Sequence, residues 1–171
     1  PDASTFWRVI SEYNVKVMFT APTAIRAIKK EDPEGKMIQN FDISCLKYQF
    51  LAGERCDVAT LTWTQEKLKI PVIDHWWQTE SGWPMVANML GVKLQEVKSG
   101  SASFPVCGYD IQILNEEGKQ VEDAVEGYVA VKLPLPPGTL SNLWENPERF
   151  KFGYLNRFTG YYFSGDGGYK D

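Results

Sequence analysis

The first third of the chain changes between helical and strand-like hydrophobic patterns. Apolar residues fall on one face at helical spacing over residues 5–13, which predicts an amphipathic helix that Asp2 can cap. The β-rich run at residues 15–20 predicts a strand. Pro22 suits the first turn of a second helix, which we expect to end near Ile28.

The same order of elements repeats after a charged connection. Residues 46–52 predict a second strand that ends at Gly53. Asp57 can cap a helix that reaches about Leu68, and Pro71 opens a third strand. Because only a few residues join these elements, their order predicts a parallel sheet with right-handed crossovers. In such sheets ligands bind beyond the carboxyl ends of the strands, so we expect one cleft lined by three segments: residues 20–23, 53–55 and 74–82.

A different pattern begins after Gly91, where helical periodicity fades and short alternating runs take over. These runs predict antiparallel strands, a turn and a short surface helix: strands at 109–114, 128–133 and 161–163, the turn at 115–118 and the helix at 142–150. The predicted fold class is therefore α/β. A parallel sheet with flanking helices occupies residues 1–95, and a smaller, β-rich, barrel-like subdomain occupies residues 96–171.

Composition narrows the classes of function. A length of 171 residues with 43% hydrophobic content supports one domain or two small subdomains. The net charge of -4 and the lack of a basic stripe argue against a nucleic-acid surface, and no apolar run has the ~20 residues that span a bilayer. Cys45, Cys56 and Cys107 form no CxxC pair, so we expect neither a disulfide framework nor a zinc site, and a reducing intracellular compartment.

The most informative stretch is PVIDHWWQTESGWPM, residues 71–85. An apolar run that stops in a polar cluster is typical of a buried strand that delivers side chains to a site. Indole faces can wall a flat base or a small acyl group. A hydroxyl followed by a carboxylate, as in Thr79 and Glu80, can hold phosphate oxygens and Mg2+. The alternative is that the tryptophans are core and the polar tail is a turn.

Three further positions each allow two interpretations. The Gly53-Glu54 step permits close backbone approach to a nucleotide base, or is a turn that needs glycine. Asp166, between two glycines, can accept the two vicinal hydroxyls of a ribose, or forms an Asp-Gly hairpin turn. His75 is the single histidine and has no Ser or Cys in a nucleophile context, so we interpret it as a cleft-wall or core residue.

Five segments together resemble the short-chain acyl-CoA synthetases, the AMP-forming ligases of the acetyl- and propionyl-CoA synthetase type within the adenylate-forming (ANL-type) superfamily. They are TAPTAIR, LAGER, DHWWQTESG, KSGSASFPVCGYDIQIL and YFSGDGGYKD. They occur in the family's order and cover nearly the whole chain. The resemblance implies an internal piece of a large N-terminal adenylating domain. The family's phosphate loop would precede this piece, and the small C-terminal domain with its catalytic lysine would follow it.

The resemblance also implies ligands and residue roles. The substrates would be ATP, coenzyme A and a short-chain carboxylate, with Mg2+ as cofactor. The residues that would contact the nucleotide are Gly53, Glu54, Arg55, Asp74, His75, Trp76, Gln78, Thr79 and Asp166. Thr79 would meet the α-phosphate, Glu80 would hold Mg2+, and these two are the catalytic candidates. Trp77 would close the acyl pocket.

Three departures from the family pattern bear on the adenine contacts and the acyl pocket. Arg55 replaces a usual Pro and His75 a usual Thr, and both changes bear on contacts with adenine. Ala52 stands where acetate-specific members place Val, which leaves room for about one more methylene, worth about 1–3 kcal/mol of discrimination. We therefore expect propionate to be favoured over acetate. The alternatives are a ligase for larger acids, which Trp77 argues against, and a non-catalytic module that kept the fold. The mitochondrial matrix is the favoured compartment, with the cytoplasm as the other option.

Overall fold

The computed structural model describes residues 2–171, which fall into two compact units. The first unit runs to Trp76 and resumes over Val86–Phe104, and the second comprises Trp77–Met85 and Pro105–Asp171. Each unit contains segments distant in sequence. The predicted division of the chain after residue 95 stays a prediction about domains.

The first unit contains a three-stranded parallel sheet in the order β1-β2-β3, as the hydrophobic pattern predicts. Its strands are β1 (Val17–Thr20), β2 (Tyr48–Leu51) and β3 (Val72–Asp74). Its helices are α1 (Thr5–Glu12), α2 (Pro22–Glu31) and α3 (Val58–Leu68), with a 3-10 turn at Met37–Asn40. In the register of the sheet Thr20 pairs with Leu51, and Leu51 with Asp74, so the three strands end in one row.

The predicted cap is right for α3 and wrong for α1, and α2 ends later than predicted. Asp57 caps α3 as expected, because its carboxylate accepts from the backbone N–H of Thr60 at 2.9 Å. The expected cap by Asp2 is wrong: Ser4 precedes α1, and Asp2 accepts from its backbone N–H. Helix α2 continues past Ile28 because Lys29 and Lys30 follow, and cations are favourable in a last turn.

The core of the first unit is formed by residues that the helical and strand periodicities place on inward faces. The fully buried members include Trp7, Ile10, Ile25, Leu51 and Val72. Trp63 contributes both its ring and a hydrogen bond, since its Nε1 donates to the carbonyl of Pro33 at 2.7 Å. This bond fastens the charged connection after α2 to helix α3. Burial of this apolar set holds the sheet and its row of strand ends together.

The second unit contains an antiparallel sheet in the order β6-β7-β8, around Leu114, Ala130 and Phe158. Its strands are β6 (Ile111–Leu114), β7 (Gly127–Lys132) and β8 (Tyr161–Gly168). In the first unit, the short strand β4 (Val86–Ala87) pairs with β5 (Phe104–Pro105), which begins at the last residue of that unit. The helix expected at 142–150 is confined to α4 (Pro147–Phe150), which runs into a π-helical turn at Lys151–Leu155.

Strand β8 is longer than expected and includes Asp166. Gly167 and Gly168 pair with Tyr128 and Gly127 of β7, and an irregularity in the register lies between Tyr128 and Ala130. The alternative that Asp166 sits in a hairpin turn is therefore wrong. A bulge of this kind re-aims side chains in the middle of a strand without ending it.

Candidate functional site

A polar network joins the ends of β1 and β2 in the first unit. Glu54 accepts from the backbone N–H of Thr23 at 2.7 Å and from the Thr23 hydroxyl. Its other oxygen lies 2.6 Å from Arg26, which also reaches Asp57 at 3.2 Å. The hydroxyl of Thr23 lowers the pKa of Glu54, with Arg26 acting in the same direction. Both carboxylate oxygens of Glu54 are therefore engaged within the chain.

Gly53 adopts a φ of +95°, a conformation that residues with a Cβ rarely take. The turn that needs glycine is thus confirmed. A Cβ built at Gly53 would meet nothing within 4 Å, so the backbone here is open to a neighbour. Close approach of a nucleotide base to this turn stays a prediction. The neighbouring Arg55 lies against another glycine: a Cβ at Gly100 would be 2.8 Å from Nη2 of Arg55.

Asp74 ends β3 as a buried carboxyl. Its Oδ2 accepts from the backbone N–H of Cys56 at 3.1 Å. Burial raises the pKa of Asp74, and the N–H of Cys56 and the charge of Arg55 oppose this shift. Burial is the main cause that raises the pKa of the Cys56 thiol to about 11, and the negative charge of Asp74 acts in the same direction. This thiol is neutral at physiological pH and lacks the thiolate character of a nucleophile.

His75 is packed among aromatic rings, as the core interpretation expects. Its ring centroid lies 5.2 Å from that of Phe19 and 5.6 Å from that of Phe50. Burial lowers the pKa of His75, so the imidazole is neutral at pH 7. Within the described residues its Nδ1 has no hydrogen-bond partner, although an unpaired buried nitrogen has a free-energy cost. Trp76 is half-buried and forms an antiparallel bridge with Val86.

Residues 78–82 form a tight turn in the second unit, with Thr79 and Glu80 near its apex. The N–H groups of Ser81 and Gly82 donate to the carbonyl of Gln78 at 3.0 and 3.3 Å. The hydroxyl of Ser81 lies 2.7 Å from the same carbonyl and 3.0 Å from the N–H of Gln78. Gly82 completes the turn with a φ of +62°. The polar tail is thus a turn, and it presents Thr79 as an exposed hydroxyl.

Gln78 connects this turn to Asp166. Its Nε2 donates to Oδ2 of Asp166 at 2.8 Å and to the carbonyl of Ser164 at 2.8 Å. Its Oε1 accepts from the hydroxyl of Tyr162 at 2.8 Å. Two residues that the sequence separates by 88 positions are therefore in direct contact. Asp166 is exposed, and one of its oxygens is oriented by the amide of Gln78.

Glu80 is half-buried and is held by a tyrosine. The hydroxyl of Tyr154 donates to Oε1 of Glu80 at 2.8 Å. Among the described residues no group of three or more His, Cys, Asp or Glu side chains could hold a metal ion. A single carboxylate still fits Mg2+, which proteins usually bind through one or two carboxylates together with substrate phosphates. Glu80 thus suits a cation that arrives with a nucleotide.

Sequence reasoning missed four residues that shape these sites: Thr23, Ser81, Tyr154 and Tyr162. Thr23, Ser81 and Tyr162 lie inside motifs that the resemblance used, so their position was a signal. Tyr154 lies in none of these motifs and carried no signal, because its partner Glu80 is 74 residues away. Trp77 is half-buried, and Ala52 is buried at the end of β2.

Comparison with known proteins agrees with these motifs. The AMP-binding enzyme family matches residues 1–137. The chain is 46% identical over 171 residues to an uncharacterized protein of Pseudomonas aeruginosa, which is 100% of this chain and 27% of that protein. It is 44% identical over 172 residues to human acyl-CoA synthetase short-chain family member 3, mitochondrial (100% and 25%). It is 40% identical over 159 residues to propionate–CoA ligase of Salmonella typhimurium (92% and 25%).

The chain spans about a quarter of the length of these relatives. No helix in residues 2–171 is both long enough and apolar enough to cross a bilayer. The match to the family model covers most of the chain, and the similarity to short-chain acyl-CoA synthetases extends along all of it. The chain therefore belongs to the AMP-binding enzyme family.

Proposed function

We propose that this chain is the nucleotide-handling part of an AMP-forming ligase that joins a short-chain carboxylate to coenzyme A. The observation that carries the proposal is the contact between Gln78 and Asp166, at 2.8 Å, beside the turn that bears Thr79 and Glu80. Asp166 offers an oriented carboxylate for a ribose, and Thr79 offers an exposed hydroxyl for a phosphate. Glu80 offers a hydrogen-bonded carboxylate for a phosphate-bound cation.

Each residue has a proposed role. Asp166 accepts the ribose hydroxyls, and Gln78 orients its carboxylate. Thr79 contacts the α-phosphate, and Glu80 holds the Mg2+ that arrives with ATP. Gly53, Glu54, Arg55, Asp74, His75 and Trp76 are proposed to face the base. Because Thr23 and Arg26 occupy the carboxylate of Glu54, its contribution is to fix the Gly53 turn, whose open backbone meets the base.

The proposed reaction has two steps. A carboxylate oxygen of the acid attacks the α-phosphorus of ATP, and the bond to the β-phosphate breaks, giving acyl-AMP and pyrophosphate. The thiol of coenzyme A then attacks the acyl carbon, and AMP leaves. The first step brings two anions together, so it needs charge neutralisation. Mg2+, when bound, supplies that neutralisation. Thr79 and Glu80 orient the α-phosphate and the cation.

We further propose propionate as the preferred acid, with acetate next. Ala52 is smaller than the Val of acetate-specific members, and one added methylene is worth about 1–3 kcal/mol in an apolar pocket. Trp77 is proposed to limit the length of the acid. The Salmonella relative is named as a propionate–CoA ligase, which supports this choice. A mitochondrial location, for which we propose the matrix, is favoured by the word mitochondrial in the name of the human relative, and a cytoplasmic one would apply in a bacterium.

The test is ATP–pyrophosphate exchange by the full-length protein with acetate, propionate, butyrate and octanoate. We expect exchange to be fastest with propionate, because the smaller side chain at Ala52 admits one more methylene. Fastest exchange with octanoate would point to a ligase for larger acids and would contradict the role of Trp77. Exchange with none of the acids would leave a non-catalytic module that retains the fold.

A further inference from the structure

Two tyrosines of the second unit lie parallel and serve different partners. The rings of Tyr154 and Tyr162 stack with centroids 5.6 Å apart and an interplanar angle of 8°. The hydroxyl of Tyr154 reaches Oε1 of Glu80, and that of Tyr162 reaches Oε1 of Gln78, both at 2.8 Å. Glu80 is proposed to hold the cation, and Gln78 is proposed to orient Asp166 for the ribose. Each of the two is thus hydrogen-bonded to one member of a single stacked pair.

The chemistry of the partners fixes the direction of both hydrogen bonds. An ionised carboxylate only accepts, so Tyr154 is the donor to Glu80. The amide of Gln78 has one accepting end and one donating end, and Tyr162 occupies the accepting end. The donating end must then face Oδ2 of Asp166 and the carbonyl of Ser164, as observed. Without the Tyr162 hydroxyl, residues 2–171 would hold the amide at its donating end alone.

Local structure gives the pair its geometry. Tyr154 lies in the π-helical turn Lys151–Leu155, and Tyr162 lies in β8. A π-helical turn costs regular hydrogen bonding and is frequent at functional sites. The hydrogen bond to Glu80 raises the pKa of Tyr154, and burial raises the pKa of Tyr162. Both hydroxyls therefore keep the proton that they donate throughout the physiological range.

We propose that Tyr154 and Tyr162 are positioning residues, and that each orients its own binding residue independently of the other. Tyr154 orients Glu80 so that Oε2, which no hydrogen bond from residues 2–171 reaches, is presented to the phosphate-bound cation. Tyr162 orients Gln78, and through it Asp166, towards the ribose hydroxyls. Neither tyrosine touches the reacting atoms. The assignment of cation and ribose to these residues rests on the proposed function.

The test uses the full-length protein and three matched substitutions: Tyr154→Phe, Tyr162→Phe and Tyr161→Phe. Each removes one hydroxyl, and Tyr161 is the control because its ring packs against the core of the second unit. The first readout is the affinity for Mn2+ in the presence of α,β-methylene-ATP, measured by electron paramagnetic resonance. The second is the ratio of the affinities for ATP and for its 2′-deoxy analogue, measured by calorimetry.

The proposal predicts that each of the two variants, Tyr154→Phe and Tyr162→Phe, changes only one of the two readouts. Tyr154→Phe should weaken Mn2+ binding about tenfold, because hydrogen bonds to charged groups are the stronger ones, and should leave the ribose ratio unchanged. Tyr162→Phe should reduce the ribose ratio about tenfold and leave Mn2+ binding unchanged. Tyr161→Phe should change neither. In a Glu80→Gln background, Tyr154→Phe should add nothing to the loss of Mn2+ affinity, because it acts through that carboxylate.

Three results would overturn the proposal. The first is wild-type behaviour of both tyrosine variants. The second is an equal loss of both readouts in both variants, which a merely structural role would produce. The third is a failure of Tyr154→Phe or Tyr162→Phe to fold, judged by circular dichroism, since positioning requires that one hydroxyl can be removed from an intact fold. Neither readout needs turnover. A separated pattern without pyrophosphate exchange would therefore refute the ligase proposal and keep this one.

Discussion

The contact between Gln78 and Asp166 can be tested by reversing one of its dipoles. Gln78→Glu keeps the size of the side chain but replaces Nε2, which lies 2.8 Å from both Oδ2 of Asp166 and the carbonyl of Ser164. An oxygen in that place turns two attractive contacts into repulsive ones. The hydroxyl of Tyr162 can still donate to the other oxygen. The change is therefore confined to the side of the residue that orients Asp166.

The size of the effect follows from the distance and the exposure. Two carboxylates with charges ~4 Å apart repel by ~1 kcal/mol in water and by ~4 kcal/mol at an effective dielectric of 20. Asp166 is exposed and Gln78 half-buried, so the value lies between these limits. Two lost hydrogen bonds add ~1–3 kcal/mol. We expect a local destabilisation of about 3 kcal/mol at pH 8.

The pH dependence gives the sharper test. One pKa unit corresponds to ~1.4 kcal/mol, so the repulsion should raise the folded-state pKa of the introduced carboxyl by ~1–3 units above its unfolded value. A raised folded pKa means that the destabilisation is complete at high pH and is relieved as the pH falls through that pKa. Below it, the added proton restores a donor towards Asp166.

The assay is hydrogen exchange of the β8 amides (Tyr161–Gly168), corrected for intrinsic rates, from pH 5 to pH 8. Gln78→Met is the uncharged control: it loses the hydrogen bonds to Asp166 and Ser164, and also the acceptor for the Tyr162 hydroxyl, so its deficit should be independent of pH. The protection of Gln78→Glu should approach that of Gln78→Met, or exceed it, as the pH falls. If the two variants showed equal deficits at every pH, the electrostatic account of this contact would be refuted.

Three further predictions concern the cap, the ribose and the acid. Asp57→Ala should destabilise α3 by about 1 kcal/mol in thermal unfolding. Because the hydrogen bonds from Thr60 lower the pKa of Asp57 to about 2, this contribution is present above the unfolded value of 3.8 and is lost as the pH falls towards 2; a variant equally deficient at pH 2 and pH 7 would contradict it. Asp166→Asn should weaken binding of ATP about tenfold and of its 2′-deoxy analogue less, and equal losses in calorimetry would exclude a contact with the ribose. Trp77→Gly should extend pyrophosphate exchange to longer acids, and an unchanged chain-length preference would remove Trp77 from the acyl pocket.

The parallel sheet could be predicted because its causes are local. Hydrophobic periods identify β1, β2 and β3, and short connections leave few possible topologies. The carboxyl ends of these strands meet in one row, and Glu54 and Thr23 touch there. From Trp77 onwards the expected cleft segment belongs to the second unit, so one cleft shared by all three segments stays a prediction.

The site in the second unit was only partly visible in the sequence. Asp166 drew attention through its flanking glycines, but sequence could not choose between a turn and a strand, because the choice depends on pairing with Tyr128 far away in the chain. The hydrogen bond between Tyr154 and Glu80 could not be predicted from the sequence, because no hydrophobic period links a tyrosine to a side chain 74 residues away. Long-range hydrogen bonds between single side chains are set by tertiary packing, which no local pattern encodes.

The engagement of Glu54 has a consequence for how this segment can evolve. Thr23 and Arg26 both contact the carboxylate of Glu54, and Asp57 forms a second ion pair with Arg26. Loss of the acid alone would leave Arg26 with Asp57 and the hydroxyl of Thr23 as partners, and would remove the acceptor of the Thr23 backbone N–H. Substitutions at these four places should therefore be inherited jointly. A lineage that changes Glu54 should also show a compensating change at Arg26, and a combined exchange should be tolerated better than either change alone.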